Sequence, residues 1–317
     1  MDAHIYDALR RFEEENIVFP PFNAALSLIE EQLELYRNTG VAQHLLVLGE
    51  SGTGKSSICR YLVVKYPRRV LPERDVVPAL NVSVPAAATI AGLASEILRA
   101  LGDPDPNSGT VPTKTHRITT LCRGCSVELL LIDEAQHLHD RGRATTHYMV
   151  GDWLKQLIDE LSIPTVFLGL PRLEQLLHIN EQLRRRFSKR ALLALGQKAE
   201  ASTQTECLQL FLSLAACMPV PVRTSGIKSF ELGERLYFAS DGRVAYIKKL
   251  LSHALSHALE YQATEILLID LENAFTQEIW RHGIERLNPF NPDFDFRRLD
   301  RAGEPFEQGE YRSLRRA

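Results

Sequence analysis

The chain has no apolar run long enough to cross a membrane. Its longest apolar-looking stretch, Val82 to Leu101, is interrupted by Pro85, Glu96 and Arg99, whereas a span needs ~18 uninterrupted residues. Behind Met1-Asp2 there is no basic flank leading into an apolar core, so no secretory signal is expected. Cysteine is scarce: five in 317 residues, an odd number without framework spacing, which excludes a disulfide-stapled scaffold. A cytoplasmic protein with reduced thiols is the expectation. Charge of one sign is not in excess either, with 37 Lys and Arg against 40 Asp and Glu, a net of −3. That balance excludes a globally basic polyanion binder and confines any nucleic-acid surface to a local stripe. No repeat of solenoid length is visible. Hydrophobic residues at 44% and charged residues at 24% are ordinary globular usage and exclude a disordered or collagenous chain.

Apolar strand candidates alternate with helical patterns over the first two thirds. A charged helix is expected up to Glu15, broken by Ile17-Val18-Phe19-Pro20-Pro21-Phe22, because two prolines cannot continue it. Ala24 to Tyr36 carries Leu26, Ile29, Leu33 and Tyr36 at helical spacing. Strands are expected at His44–Leu48, Val76–Val84, Val127–Ile132 and Pro164–Leu168. Helices are expected at Ser56–Tyr66, Ala86–Leu101, Thr113–Arg123 and Met149–Leu161. Buried strands separated by helices imply a parallel sheet. After about residue 198 only helical patterns follow: Thr203–Cys217, Gly226–Ala239, Val244–Gln262 and Asp270–Trp280. The expected organisation is an α/β core over 1–198, an all-α lid over 199–287 and an extended tail over 288–317.

Gly49-Glu50-Ser51-Gly52-Thr53-Gly54-Lys55-Ser56 is a complete phosphate-loop pattern, and it stands after a strand and opens a helix. Its glycines let backbone N–H groups curl around phosphate oxygens, and the helix N-terminus adds its dipole. Ser57 continues that helix start. Lys55 is expected to reach the β- and γ-phosphates of ATP, and the Ser56 hydroxyl to bind Mg²⁺. Leu129-Leu130-Leu131-Ile132-Asp133-Glu134 delivers two carboxylates to the end of a buried strand. Asp133 suits Mg²⁺ held through water, and Glu134 suits orienting or deprotonating the attacking water. Downstream, Leu183-Arg184-Arg185-Arg186-Phe187 offers an arginine to a neighbouring subunit's γ-phosphate. Arg243, in Asp241-Gly242-Arg243, begins a lid helix from which it can sense nucleotide.

In this order, these elements resemble AAA+ ATPases, and most of all the TnsC/TniB group of transposition regulators. The likeness is carried by Gly124-Cys125-Ser126-Val127-Glu128 leading into Ile132-Asp133-Glu134-Ala135, and by Leu168-Gly169-Leu170-Pro171-Arg172-Leu173 leading through Asn180-Glu181-Gln182 to Arg186-Phe187. It spans about residues 17 to 260. The resemblance implies an AAA+ P-loop core with a C-terminal helical lid. It also implies an ATP-dependent homo-oligomer, a ring or filament on double-stranded DNA, linking a target-selection protein to a transposase. By family position Arg186 is the finger acting between subunits. Leu170 stands where the family often has a polar residue, and Ala245 breaks a Gly-x-x-Arg pattern after Gly242, so hydrolysis is expected to be slow or partner-dependent. Two other function classes fit an ATPase of this type: an ATP-gated scaffold in secretion or signalling, and a helicase or clamp-loader motor.

By the same resemblance, DNA is met by the segment before the second-motif strand, here Thr113, Lys114, Thr115 and Arg117. Lysine, arginine and short hydroxyls suit phosphate oxygens and read no bases. Cys122-Arg123-Gly124-Cys125 has a metal-like spacing without a second pair. His253 and His257 lie four apart without the Glu a zinc protease needs. Both are read as structural. The tail carries Phe290, Phe294, Phe296 and Phe306 amid mixed charge, a pattern that suits docking on a partner.

Overall fold

The computed structural model describes residues 3–14, 19–86, 89–138, 144–196 and 202–307. Outside them lie Ile17 and Val18 of the expected break, part of the start of the helix expected from Ala86, the core–lid boundary expected at 198 and the tail beyond 307. The chain divides into two compact units, Pro20–Leu193 and Met1–Phe19 with Ala194–Ala317.

The chain opens with α1 (Ala3–Glu14), which belongs to the second unit. The first unit runs α2 (Pro20–Thr39), β1 (His44–Leu48), α3 (Lys55–Lys65), a short hairpin of β2 (Arg69–Val70) and β3 (Asp75–Val76), then β4 (Ala79–Ser83), α4 (Ile90–Leu101) and α5 (Val111–Gly124). It continues with β5 (Leu129–Asp133), α6 (Ala144–Leu161), β6 (Thr165–Gly169), α7 (Glu174–Ile179), α8 (Glu181–Arg186) and β7 (Lys189–Leu192). Five strands form one sheet in the order β4-β5-β6-β1-β7, with every pairing parallel. Leu45, Leu46, Val47, Leu129, Leu130, Leu131, Val166, Phe167 and Leu168 are all fully buried. Such unbroken apolar runs are what a strand needs when both faces of its sheet are covered. β6 lies between β1 and β5, so the two nucleotide motifs enter from strands that do not touch each other. The site lies at the carboxyl ends of the strands, the usual crevice of an open parallel sheet.

Several boundaries differ from those expected. α1 is described to Glu14, one residue before its expected end, and α2 begins at Pro20 rather than Ala24, because Pro20 and Pro21 form its first turn, where a missing N–H costs nothing. The strand expected over Val76–Val84 is divided at Pro78, whose carbonyl accepts from both Glu128 N and Leu129 N. Ile90, not Ala86, begins α4, because Thr89 caps it by accepting from Gly92 N at 3.0 Å.

The second unit holds α9 (Thr203–Ala215), α10 (Ser229–Ser240), α11 (Val244–Glu260) and α12 (Leu268–Ala274), the last extended by one π-helical turn, Phe275–Ile279. α1 packs on α11. Ile5 and Phe12 are buried, Ser252 Oγ donates to Glu13 Oε1 at 2.7 Å, and the Lys248 ammonium lies over the Phe12 ring. The expected lid therefore gains an N-terminal helix.

The expected extended tail is instead packed into this unit through residue 307. Phe290, Phe294, Leu299 and Phe306 are buried. Arg235, itself buried, donates to the carbonyls of Pro289 (2.7 Å) and Asn291 (2.6 Å) and lies over the Phe296 ring. Asn288 Nδ2 donates to the carbonyls of Glu272 and Gly283. The spaced aromatics serve an internal core. Only Phe296 among them is exposed, so the segment is not a free docking tail.

Candidate nucleotide site

Gly49-Glu50-Ser51-Gly52-Thr53-Gly54 links β1 to α3. Gly52 and Gly54 have φ of 80° and 97°, backbone that L side chains rarely adopt, and this is where the loop must reverse. A Cβ on Gly49 would stand 2.4 Å from Thr53 Oγ1 and 3.0 Å from Leu193 Cβ. Thr53 Oγ1 donates to Glu50 O at 2.9 Å. Lys55 is buried, and its ammonium donates to the carbonyls of Gly49 (2.8 Å) and Glu50 (2.9 Å). Burial pushes the Lys55 pKa below the ordinary lysine value, while Glu134, Asp133 and Glu50 oppose the shift. The two motifs are thus close enough to interact electrostatically. Ser51 and Ser56 are exposed, and Ser57 is half-buried.

Asp133 ends β5 opposite Ser83 of β4 and is buried. Its Oδ1 accepts from Glu134 N at 2.8 Å. Glu134 has a φ of 54°, an uncommon left-handed conformation that turns the chain sharply away from the strand. A 3₁₀ turn, Ala135–Leu138, follows. Gln136, almost fully buried, donates through Nε2 to Glu134 Oε2 and accepts through Oε1 from Leu170 N at 3.1 Å. Gly169 O accepts from Gly49 N at 3.1 Å. Sequence reasoning missed Gln136, whose partner Leu170 is remote in the chain. The one available signal was its place in Asp133-Glu134-Ala135-Gln136.

Arg186 ends α8. Its Nε and Nη2 form a two-pronged pair with Asp159 at 2.7 and 2.6 Å, and Nη1 donates to Gln182 O at 2.8 Å. His44 is half-buried beside it, its Nδ1 accepting from Thr165 N at 3.2 Å. Burial of the ring, then the nearby Arg186 charge, lowers the His44 pKa from 6.5 to about 4, with Asp159 opposing. Arg243, in the other unit, stands at the N-cap position of α11 without a side-chain cap bond, reaches Asp241 at 3.4 Å and lies over the rings of Tyr246 and Phe306.

The four residues expected to meet DNA sit at the start of α5, and the fold uses most of them internally. Lys114 is buried and donates to Ser95 Oγ at 2.6 Å. Thr115 is buried and accepts from Trp153 Nε1 at 3.0 Å. Arg117 is tied to Asp103, with further bonds to the carbonyls of Ser108 and Asp105. Thr113 alone of the four is exposed. The expectation that this set lines a phosphate surface therefore fails for Lys114 and Thr115, because the helix's buried face claims them.

Cys122 and Cys125 are both buried, and burial pushes the Cys122 thiol up to about 12. His253 pairs with Glu278 at 3.2 Å, and His257 lies 3.7 Å from Asp270. Among the described residues, no group of three or more His, Cys, Asp or Glu side chains is placed to hold a metal ion, and no helix is long and apolar enough to cross a membrane.

Residues 10–196 match the family described as bacterial TniB protein. No curated protein matches the chain. Among solved structures, it is similar to the ORC2 protein of Aeropyrum pernix in its ADPNP–ADP complexes (15% identity, TM-score 0.61, covering 84% of this chain and 71% of that one). Cdc6p of Pyrobaculum aerophilum matches at 15% identity and TM-score 0.63, covering 87% and 72%. The ORC1 protein of A. pernix in complex with DNA matches at 16% identity and TM-score 0.63, covering 88% and 69%. At such identities these likenesses show the fold. The family match covers more than half of the chain and includes the phosphate loop, Asp133-Glu134 and Arg186, so the chain belongs to the bacterial TniB family and is an AAA+ ATPase.

Proposed function

We propose that the protein is an ATP-dependent, oligomeric regulator of DNA transposition that binds double-stranded DNA and links a target-selection protein to a transposase. The observation that carries the reading is a complete two-motif ATPase site within a chain of the TniB family. A fold shared with an ORC1 protein solved in complex with DNA supports the DNA-bound part.

Within the site, Lys55 neutralises charge on the β- and γ-phosphates, and the loop N–H groups cradle them. The donors fit Mg²⁺, a hard cation that takes oxygen ligands. Ser56 offers an exposed hydroxyl at the helix start, and buried Asp133 offers a carboxylate. An ion held there would neutralise charge on the phosphate oxygens. Glu134 takes the proton of the attacking water. Arg186 acts on the site of a neighbouring copy, which requires it to leave Asp159.

For DNA, the exposed basic run Arg184, Arg185, Lys189 and Arg190 suits phosphate contact better than buried Lys114 and Thr115. Arg185 pairs with Glu181 and Arg190 with Glu174. Both arginines are exposed, and such surface pairs are weak enough to be exchanged for phosphate. The test is binding of the chain and of its Arg184→Ala, Arg185→Ala double variant to unrelated duplexes across a salt series, with ATP present. Affinity is expected to fall about equally on every duplex, since phosphate contacts carry no base information. The salt slope should flatten by about one unit per lost contact. Unchanged affinity and slope would refute this surface.

A further inference from the structure

We propose that Gln136 is a positioning residue for hydrolysis, tying the Glu134 carboxylate to the end of β6 and, through it, to the phosphate loop. The inference rests on Glu134 acting as the base, as read above.

Strand order makes the link possible. With β6 between β1 and β5, its carboxyl end is where one stretch of backbone can reach both halves of the site. It does so through a single peptide group, whose C=O and N–H point opposite ways. Gly169 O accepts from Gly49 N of the loop at 3.1 Å, and Leu170 N donates to Gln136 Oε1, also at 3.1 Å. The Gln136 amide completes the chain by donating to Glu134 Oε2. Its orientation follows from its neighbours. A backbone N–H can only donate and a carboxylate can only accept, so Oε1 must face Leu170 and Nε2 must face Glu134. Gln136 is 1% exposed, so both ends of its amide depend on these protein partners.

The surroundings are shaped for this amide. A Cβ on residue 169 would stand 2.8 Å from Gln136 Oε1 and 3.2 Å from its backbone N, so glycine is what lets the amide approach the strand. The left-handed Glu134 and the 3₁₀ turn, in which His137 N donates to Glu134 O at 3.0 Å, carry Gln136 back toward the carboxylate two residues before it. The strand end has the apolar Leu170 side chain where a polar one is expected. The Leu170 N–H with the Gln136 amide supplies the polar connection by another route. It engages one carboxylate oxygen, Oε2, and fixes the angle at which the group is presented to water. A displacement of the loop at Gly49 would reach Glu134 through these three bonds.

The experiment uses the full chain and compares Gln136→Leu, apolar, one heavy atom shorter and without either bond, with the isosteric Gln136→Glu, which keeps the acceptor for Leu170 but sets a second carboxylate against Glu134. ATP turnover, affinity for a fluorescent ATP analogue and thermal unfolding are measured for each. Both variants should bind the analogue like the parent with KM unchanged, while kcat falls about a hundredfold, the usual cost of a misplaced catalytic group. In a Glu134→Gln background, Gln136→Leu should produce no further loss of turnover, because residues acting as a unit are not additive. Parental kcat in the folded Gln136 variants beside an inactive Glu134→Gln would overturn the inference. So would losses that multiply in the double variant, or a fall in analogue affinity that tracks thermal stability, since either marks a purely structural residue. Parental turnover by Glu134→Gln would overturn the base assignment, and this inference with it.

Discussion

Replacing His44 with Asn removes a titrating ring while keeping an acceptor for Thr165 N, since the Asn carbonyl oxygen occupies the place of Nδ1. Burial, assisted by Arg186, lowers the His44 pKa from 6.5 to about 4. The unfolded chain binds a proton at this residue below about pH 6.5, and the folded chain does not until about pH 4. Stability therefore falls as the pH drops through that window and is restored as it rises. At about 1.4 kcal/mol per pKa unit, the loss reaches at most about 3 kcal/mol in strong acid and about 2 kcal/mol at pH 5. These are upper bounds, because the ring is only half-buried. The assay is urea unfolding of parent and His44→Asn at pH 7 and pH 5, with other acid-sensitive groups cancelling in the difference. The parent should lose more than the variant, by up to about 2 kcal/mol. Equal losses, or a His44 ring resonance titrating near 6.5, would refute the reasoning.

Mixing Arg186→Ala with Glu134→Gln should restore part of the ATPase activity that each lacks alone, because each mixed junction can form one intact composite site; no recovery in demonstrably mixed oligomers would contradict action between subunits. Arg235→Leu should cost about 3 kcal/mol in denaturant unfolding, because the carbonyls of Pro289 and Asn291 lose their buried donor. A cost near zero would mean that residues 288–307 do not depend on that anchor.

The parts of this protein legible in its sequence are those fixed by neighbours in the chain. The phosphate loop is a local pattern, and β1 forms at His44–Leu48 as expected because an apolar run between turn residues has few other options. β7 was illegible: Lys189-Arg190-Ala191-Leu192 has a mostly exposed side-chain pattern and is a strand only because β1 offers it an edge. Lys114 illustrates the opposite error. A lysine near a helix start reads as surface, yet its stem is buried and its ammonium finds Ser95, nineteen positions away. The tail aromatics read as exposed because they lack periodicity, yet Phe290, Phe294 and Phe306 are buried, Phe294 against Phe238 and Phe306 against Tyr246, partners far away in the sequence. Gln136 lay beyond sequence reasoning for a topological reason, since its role depends on β6 separating β1 from β5.

Electron microscopy of the full chain with duplex DNA and a non-hydrolysable ATP analogue tests the central claim most directly. Rings or filaments on DNA should form with the analogue, and should be absent when nucleotide is withheld or when Lys55 is replaced by Ala. DNA-bound assemblies that form equally without nucleotide, or a chain that stays monomeric and off DNA with the analogue bound, would contradict it.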